Sequence, residues 1–445
     1  MSFVAIDLGA SGSRYVSESG QISVMPNNMV FLPNEQPSLI NTDAADIESC
    51  LEVKIVKESG SACEHFPANV LIGIMAEKHM GVNERPYMNM HKHVQRINYI
   101  SAIVASAISR LKYELAENID LYLAVPPIEI HQAREVFNEL LTGTYTVTFP
   151  KYMGGTQVRL TINGVKCYEE SFMASTSFFF NMNGIPKESS KAYLIGNVLS
   201  LDIGASTTDL AIIKNGRYLD KSGQTYKTGG NEARDFLMNE VCARYAMDMS
   251  IEDAEKSMAE GRLQQGNSYD DISDIVSMAK SALAKKLITH MQTYFKRIQI
   301  DITTINAIVV SGGGSMQSQY VNADGEVIKT SEPMSYYVTQ ELINWSKGTI
   351  VVPYGDEARF ANVKGLFIRA KVDSMQATPV QPTQTAQPVQ TTPVQPQVTP
   401  VQAQTAQPVQ TQASATAAVA QPVQTTQTVN TVEQTATTPV PQINI

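Results

Sequence analysis

Cysteine is scarce and scattered. Cys50, Cys63, Cys167 and Cys242 are the only four in 445 residues, without a CxxC pair or a regular spacing. That argues against a disulfide framework or a structural zinc site, and a reducing cytoplasm is the simpler setting. Long apolar runs are missing too, since none approaches the ~20 residues that span a bilayer. The opening run Phe3-Val4-Ala5-Ile6 reads as a strand, with neither a basic n-region nor a cleavage site. Positive charge is in deficit: 34 Lys and Arg face 43 Asp and Glu, a net charge of -9. Broad contact with DNA needs a basic surface to displace counterions, so little direct nucleic-acid binding is expected. A local basic patch, or a partner that carries the DNA contact, stays compatible with this. The expectation is a soluble cytoplasmic protein without a membrane segment.

Charge itself runs out near Ser374. From there to Ile445 the only charged residue is Glu433, so all but one unit of the net charge falls on 1–373. The segment is almost entirely Pro, Gln, Thr, Val and Ala, with no glycine and no aromatic residue. Its heptapeptide Thr385–Thr391 recurs intact at Thr405–Thr411, and Ala420–Thr425 repeats most of it. Ordering each residue costs ~1–2 kcal/mol of backbone entropy, which such side chains cannot repay. Residues 374–445 are therefore expected to be a disordered tail, partly polyproline II, with a reach of roughly 50 Å. A passive spacer and a docking tail read by a partner both remain open.

The body alternates strands and helices. Strands are expected at Phe3–Leu8, Arg14–Glu18, Asp120–Val125 and Ile305–Val310, with a strand–turn–strand at Val198–Ile213. Gln157–Tyr168 reads as a hairpin turning at Asn163-Gly164. Helices are expected at Arg96–Ala116, His131–Leu141, Asn231–Tyr245 and Ile272–Ile298; the last has Val276, Ala279, Leu283, Leu287 and Met291 on one stripe. Such alternation favours an α/β class with central sheets covered by helices.

Three Gly-rich turns each follow an apolar strand. They are Asp7-Leu8-Gly9-Ala10-Ser11-Gly12-Ser13-Arg14, Asp202-Ile203-Gly204-Ala205-Ser206-Thr207-Thr208-Asp209 and Ser311-Gly312-Gly313-Gly314-Ser315. In the first two a strand delivers an Asp, and a Gly then lets the backbone bend towards an anion. Consecutive N–H groups and hydroxyls are left to hold phosphate oxygens. An Asp cannot touch phosphate without repulsion, so its natural partner is a hydrated Mg2+ that bridges to the phosphates. One such turn is weak evidence. Two, spaced about 195 residues apart, look like halves of a duplicated fold that face each other across a cleft, and glycines of the third turn would let a base or ribose approach.

In order and spacing these turns resemble the superfamily of actins, heat-shock chaperone ATPases and sugar kinases. The resemblance implies a ribonuclease H-like duplicated, actin-like two-domain fold with central mixed sheets. Asp7–Arg14 looks like its first phosphate motif, Asp202–Asp209 like the second, and Ser311–Ser315 like the adenosine motif. Cys167–Ala174 is similar to the strand-to-helix connection of the ParM-like plasmid-segregating actins, with Glu170 at the catalytic position and Glu169 in place of a proline. Thr228-Gly229-Gly230-Asn231 resembles the turn that starts a ribose-side helix. Asp356–Gly365 resembles the helix that returns the chain to the first domain. Arg14 stands where actins usually carry a lysine, and Ala10 replaces a common Ser or Gly. The implied division is domain I at 1–197, domain II at 198–373 with a final helix near 356–371 returning to domain I, and the tail at 374–445.

The implied chemistry is ATP hydrolysis, with ATP or GTP as the nucleotide because a Gly-rich base turn reads backbone shape. Glu170 would orient the attacking water, and Asp7 and Asp202 would hold Mg2+ through its water shell. The implied activity is self-association into filaments that move plasmid or other DNA in a prokaryotic cell through a DNA-binding adaptor. A small-molecule kinase of the same superfamily is the alternative, although no fixed sugar-hydroxyl base stands out; a non-segregating cytoskeletal or phage actin homologue is another. His91-Lys92-His93 is expected to face solvent, as are His131 at a helix start and the Lys285-Lys286 and Lys296-Arg297 pairs. Phe178-Phe179-Phe180 is expected in the core.

Overall fold

The computed structural model describes residues 2–10, 12–32, 50–61, 66–73, 75–76, 91–150, 155–343, 345–346 and 348–377. The tail expected at 374–445 lies outside them apart from its first four residues, and Ser11 lies outside them too.

The amino-terminal half builds a nine-stranded mixed sheet. Its strands are β1 (Ser2–Leu8), β2 (Gly12–Ser17), β3 (Ile22–Pro26), β4 (Met29–Leu32), β5 (Cys50–Ser59), β6 (Ala68–Gly73), β7 (Asn118–Val125), β8 (Gly143–Phe149) and β9 (Thr156–Glu169). Their order is β3-β2-β1-β7-β9-β8-β5-β6-β4, with β7 parallel to both β1 and β9. Helix α1 (Arg96–Tyr113) is buried almost all round from Ile97 to Ser109, and α2 (Ile130–Leu141) buries Ala133, Phe137 and Leu141. The helix expected to reach Ala116 stops earlier, at a left-handed Glu114 with φ 53°. Leu115 reaches the core from outside the helix.

The expected hairpin at Gln157–Tyr168 is instead one continuous strand, β9, paired with β8 on one side and β7 on the other. Val158, Leu160 and Ile162 point inwards, then Val165 and Cys167 do so, so the inward parity slips by one at Asn163-Gly164. The register with β7 jumps there from Ile119↔Ile162 to Asp120↔Gly164. The Asn-Gly pair is thus spent on a bulge, where one extra residue is tolerated without reversing the chain.

The second half builds a smaller sheet from β10 (Asn197–Ile203), β11 (Thr208–Lys214), β12 (Arg217–Tyr218), β13 (Gln224–Tyr226), β16 (Ile305–Ser311) and β19 (Ile350–Pro353). Two short ribbons, β14 (Arg262–Gln265) with β15 (Ser268–Asp271) and β17 (Ser318–Val321) with β18 (Val327–Ser331), stand outside it. Its helices are α4 (Gly230–Tyr245), α5 (Ile251–Glu260), α6 (Ser273–Ile298) and α7 (Met334–Leu342). One arrangement occurs twice: β1 and β2 form an antiparallel pair beside the parallel β7, and β10 and β11 form one beside the parallel β16. The registers match as well, with Asp7 opposite Arg14 and Asp202 opposite Asp209.

Helices α3 (Glu170–Phe179) and α8 (Ala361–Ala377) link the two sheets. Val363, Leu366, Phe367 and Ala370 of α8 pack on Phe3, Ala5, Val16 and Tyr122 of the first sheet. Ala174, Phe178 and Phe179 of α3 pack on Val198, Ile213 and Val309 of the second, while Phe180 is only half-buried. The two helices cross where Gly365 meets the Met173 carbonyl, a contact that leaves no room for a Cβ. Helix α8 runs on to Ala377, past the composition break at Ser374, because Met375, Gln376 and Ala377 are all good helix formers.

Candidate functional site

All three Gly-rich turns open onto one cleft of about 720 Å3. Each is held by its own backbone. In the first, Gly9 N–H donates to the Asp7 carbonyl (3.1 Å), and the Asn27 amide donates to the Gly9 carbonyl (2.9 Å). In the second, Gly204 N–H donates to Thr207 O (2.8 Å), and the start of α4 is stitched to it by Gly230 N–H to Gly204 O (2.9 Å) and Asn231 N–H to Ala205 O (2.7 Å). The third turns at Gly312, whose φ of 87° and close approach to the Ile203 carbonyl suit only glycine.

Asp7, Glu170 and Asp202 converge on the cleft, Asp209 is packed behind them, and Glu129 and Glu255 stand elsewhere on its wall. Asp7 ends β1 and is 5% exposed; Arg14 Nη1 lies 3.7 Å from it and Lys92 Nζ 4.0 Å. Burial raises its pKa, an effect that Lys92 opposes. Asp202, 3% exposed, accepts from Ser311 Oγ (3.0 Å) and from Asn362 Nδ2 (2.8 Å). Burial, and then the charge of Glu170, push its pKa up to about 7. Asp209 is fully buried, accepts from Thr225 Oγ1 (2.5 Å), and has its pKa raised well above the usual range by burial and by Glu170. Glu170 opens α3 directly after β9 and forms an ion pair with Lys92. Burial would strip the proton from Lys92, but Glu170 and Asp7 outweigh it and raise the ammonium's pKa.

Of the residues singled out in the sequence, the structure brings Asp7, Gly9, Ala10, Arg14, Glu170, Asp202, Gly204, Ala205, Ser206, Thr207, Gly230, Asn231, Gly312, Gly313 and Gly314 into the cleft wall. Four others stand behind it. Gly12 and Ser13 lie in β2, Gly229 abuts the Gly204 and Ala205 carbonyls, and Ser315 spends its hydroxyl on the Gly312 carbonyl (2.7 Å).

The expectation for His91-Lys92-His93 is corrected. Residues 92–94 form a 3-10 turn. His91 is exposed, but His93 is buried with its Nδ1 2.7 Å from Glu129 Oε2, and Lys92 reaches into the acidic cluster. His131, Lys285, Lys286, Lys296 and Arg297 are exposed as expected. Asp209 was legible as the end of the second motif. Lys92 and Thr225 carry no local signal of their roles beside the carboxylates; Asn362 lies in the Asp356–Gly365 stretch, whose resemblance concerns a returning helix and not a partner for Asp202.

A family model described as "Archaeal actin homologue MreB-like, C-terminal" matches residues 200–319. The fold resembles solved structures along most of its length. Against the actin-like protein Alp7A the TM-score is 0.62 at 15% identity, covering 84% of this chain and 96% of that one. Against the archaeal actin homologue Ta0583 it is 0.61 at 14% identity, covering 84% and 100%. The fold is actin-like. The ParM of Bacillus thuringiensis with ATP has the same actin-like architecture, with a TM-score of 0.58 at 15% identity, covering 84% and 99%. No curated protein matches the sequence. Among the described residues, no helix of this actin-like chain is long and apolar enough to cross a membrane.

Proposed function

We propose that this chain is an ATPase that assembles into filaments with ATP and disassembles after hydrolysis. The observation that carries the reading is that Asp7 and Asp202, at matching positions of two like hairpins, line one cleft together with Glu170. On this reading domain I is 1–197, domain II is 198–373, and nucleotide lies between them. The backbone of Gly9–Ala10 and Gly204–Thr207 receives the phosphates. The Gly312–Gly314 turn faces base and ribose, with Asn231 on the ribose side. ATP is the nucleotide of choice, since a ParM relative was solved with ATP, ADP and AMPPNP; GTP is the competitor to test.

The donor set fits a water-mediated Mg2+. Four buried carboxylates face two cations, Lys92 and Arg14, so the cluster is short of positive charge. Among the described residues no three metal-binding side chains converge on one point, as direct ligands would. Asp7 and Asp202 would hold the ion through its hydration shell, where it would neutralise phosphate charge. Glu170 orients the attacking water and accepts its proton. Arg14 braces Asp7 and the first turn. These are positioning and electrostatic contributions, the main terms in phosphoryl transfer.

Head-to-tail contacts between identical subunits generate open filaments, and a ParM relative is described as a non-polymerisable quadruple mutant. Plasmid or other DNA would be moved through an adaptor, which the acidic body favours over direct contact. Sedimentation of the purified chain with Mg-ATP tests the reading. Polymer that forms and later decays supports it; a chain that binds no nucleotide overturns it.

A further inference from the structure

Lys92 has a place in the cluster that the hydrolytic roles above leave unexplained. It sits at the start of a short turn whose placement is over-determined. Its carbonyl accepts from the Asn98 amide (2.9 Å), and its neighbour His93 is pinned to Glu129. The ammonium is thereby delivered between Glu170, its ion-pair partner, and Asp7, 4.0 Å away. Asp209 also feels its charge. Glu170 and Asp7 thus meet a cation built into the chain.

We propose that Lys92 is a tethered counter-ion that keeps free Mg2+ out of the cleft and admits the metal only as its nucleotide complex. The proposal rests on the nucleotide reading above. Bare Mg2+ would have to settle beside Asp7 against the repulsion of an ammonium 4.0 Å away, and it brings no anion to receive Lys92. A nucleoside triphosphate brings several negative charges at once. Both cations then have partners: Lys92 turns from Glu170 to a phosphate oxygen, and Glu170 is released to meet water. Nucleotide arrival thus couples metal loading to the freeing of the base. Arg14 differs in its partners, since its Nη1 lies 3.7 Å from Asp7 and donates to the Gly12 carbonyl (3.3 Å), whereas Lys92 pairs with Glu170.

The test uses the full-length, nucleotide-free protein and MgCl2 alone, followed by calorimetry and thermal shift, with NaCl at matched ionic strength as control. Wild type is expected to be silent to millimolar Mg2+, and Lys92→Gln to bind it at least ~10-fold more tightly, since a cation at this range shifts a carboxylate's equilibria by one to three powers of ten. Lys92→Arg, which keeps the charge, is expected to stay silent. Equal Mg2+ response in wild type and Lys92→Gln overturns the proposal. Should Lys92→Gln not fold, isotope-labelled methyl-lysine spectra of the wild type decide. The Lys92 resonance should ignore MgCl2 and move with Mg-ATP, and movement with MgCl2 alone overturns the idea. Absence of any ATP binding would instead sink the nucleotide reading, which the metal-only measurements do not depend on.

Discussion

Asp202 carries the cost of a buried carboxylate. Its pKa of about 7 lies some three units above an ordinary carboxylate, so the folded protein holds a proton that the unfolded chain has already lost. Stability of the nucleotide-free protein should therefore fall as pH rises from about 4 towards 7, by up to roughly 4 kcal/mol from this group, and level off above. Asp202→Asn removes that slope. The new amide is easily housed, because Asn362 Oδ1 is buried without a partner and a flip of Asn362 presents it to the new N–H groups. The variant is expected to melt higher than wild type at pH 8 and to lose Mg-ATP binding, read by melting curves from pH 4 to 9 and by calorimetry. Glu170→Ala is expected to slow phosphate release by ~100-fold or more while assembly persists, because a positioned base contributes on that scale. Unchanged hydrolysis in a phosphate-release assay would remove Glu170 from its role.

At the scale of elements, what was readable in the sequence was local. A strand, an Asp, a Gly and a run of hydroxyls sit within eight residues, so both phosphate-type hairpins announce themselves. Glu170 was found only through family likeness, since a glutamate at a helix start also suits the helix dipole. Lys92 carries no such signal, because its role depends on a turn packed through Asn98, six residues on, and through Glu129, 36 residues from His93. The β9 strand was misread because Asn-Gly is a strong hairpin signal, although the inward pattern Val158, Leu160, Ile162, then Val165, Cys167 carried the phase slip. Deleting Asn163 should remove the bulge and turn the residues that follow it, or shift Glu170 by one position. Loss of hydrolysis with β content retained, by phosphate assay and circular dichroism, is the expected outcome. Gly365→Ala forces α3 and α8 apart at Met173 and should cost roughly 2–4 kcal/mol, seen as a lower melting temperature.

For the whole molecule, the duplication explains why one cleft can be built from residues nearly 200 apart in sequence. Each half supplies one acidic hairpin, and neither half has a complete site. The described residues up to Ala377 cluster as one compact unit. A chain ended at Ala377 is therefore expected to unfold cooperatively at the temperature of the full chain and to bind nucleotide equally well. A drop of more than a few degrees in calorimetry would mean that the Pro/Gln/Thr-rich segment contributes to the fold.

Helix α8 bears on three of the acids, on Asp202 directly and on Asp7 and Glu170 through the elements that carry them. Its Asn362 holds Asp202, its apolar face lies behind the strand that ends in Asp7, and its Gly365 bears on the helix that begins with Glu170. It acts as a keel on which three separately encoded charges are aligned. On the proposed reading, substitutions at Val363, Leu366, Phe367 or Ala370 would mimic defects of the cleft without lining it, and a force applied to the chain beyond Ala377 is delivered first to that alignment.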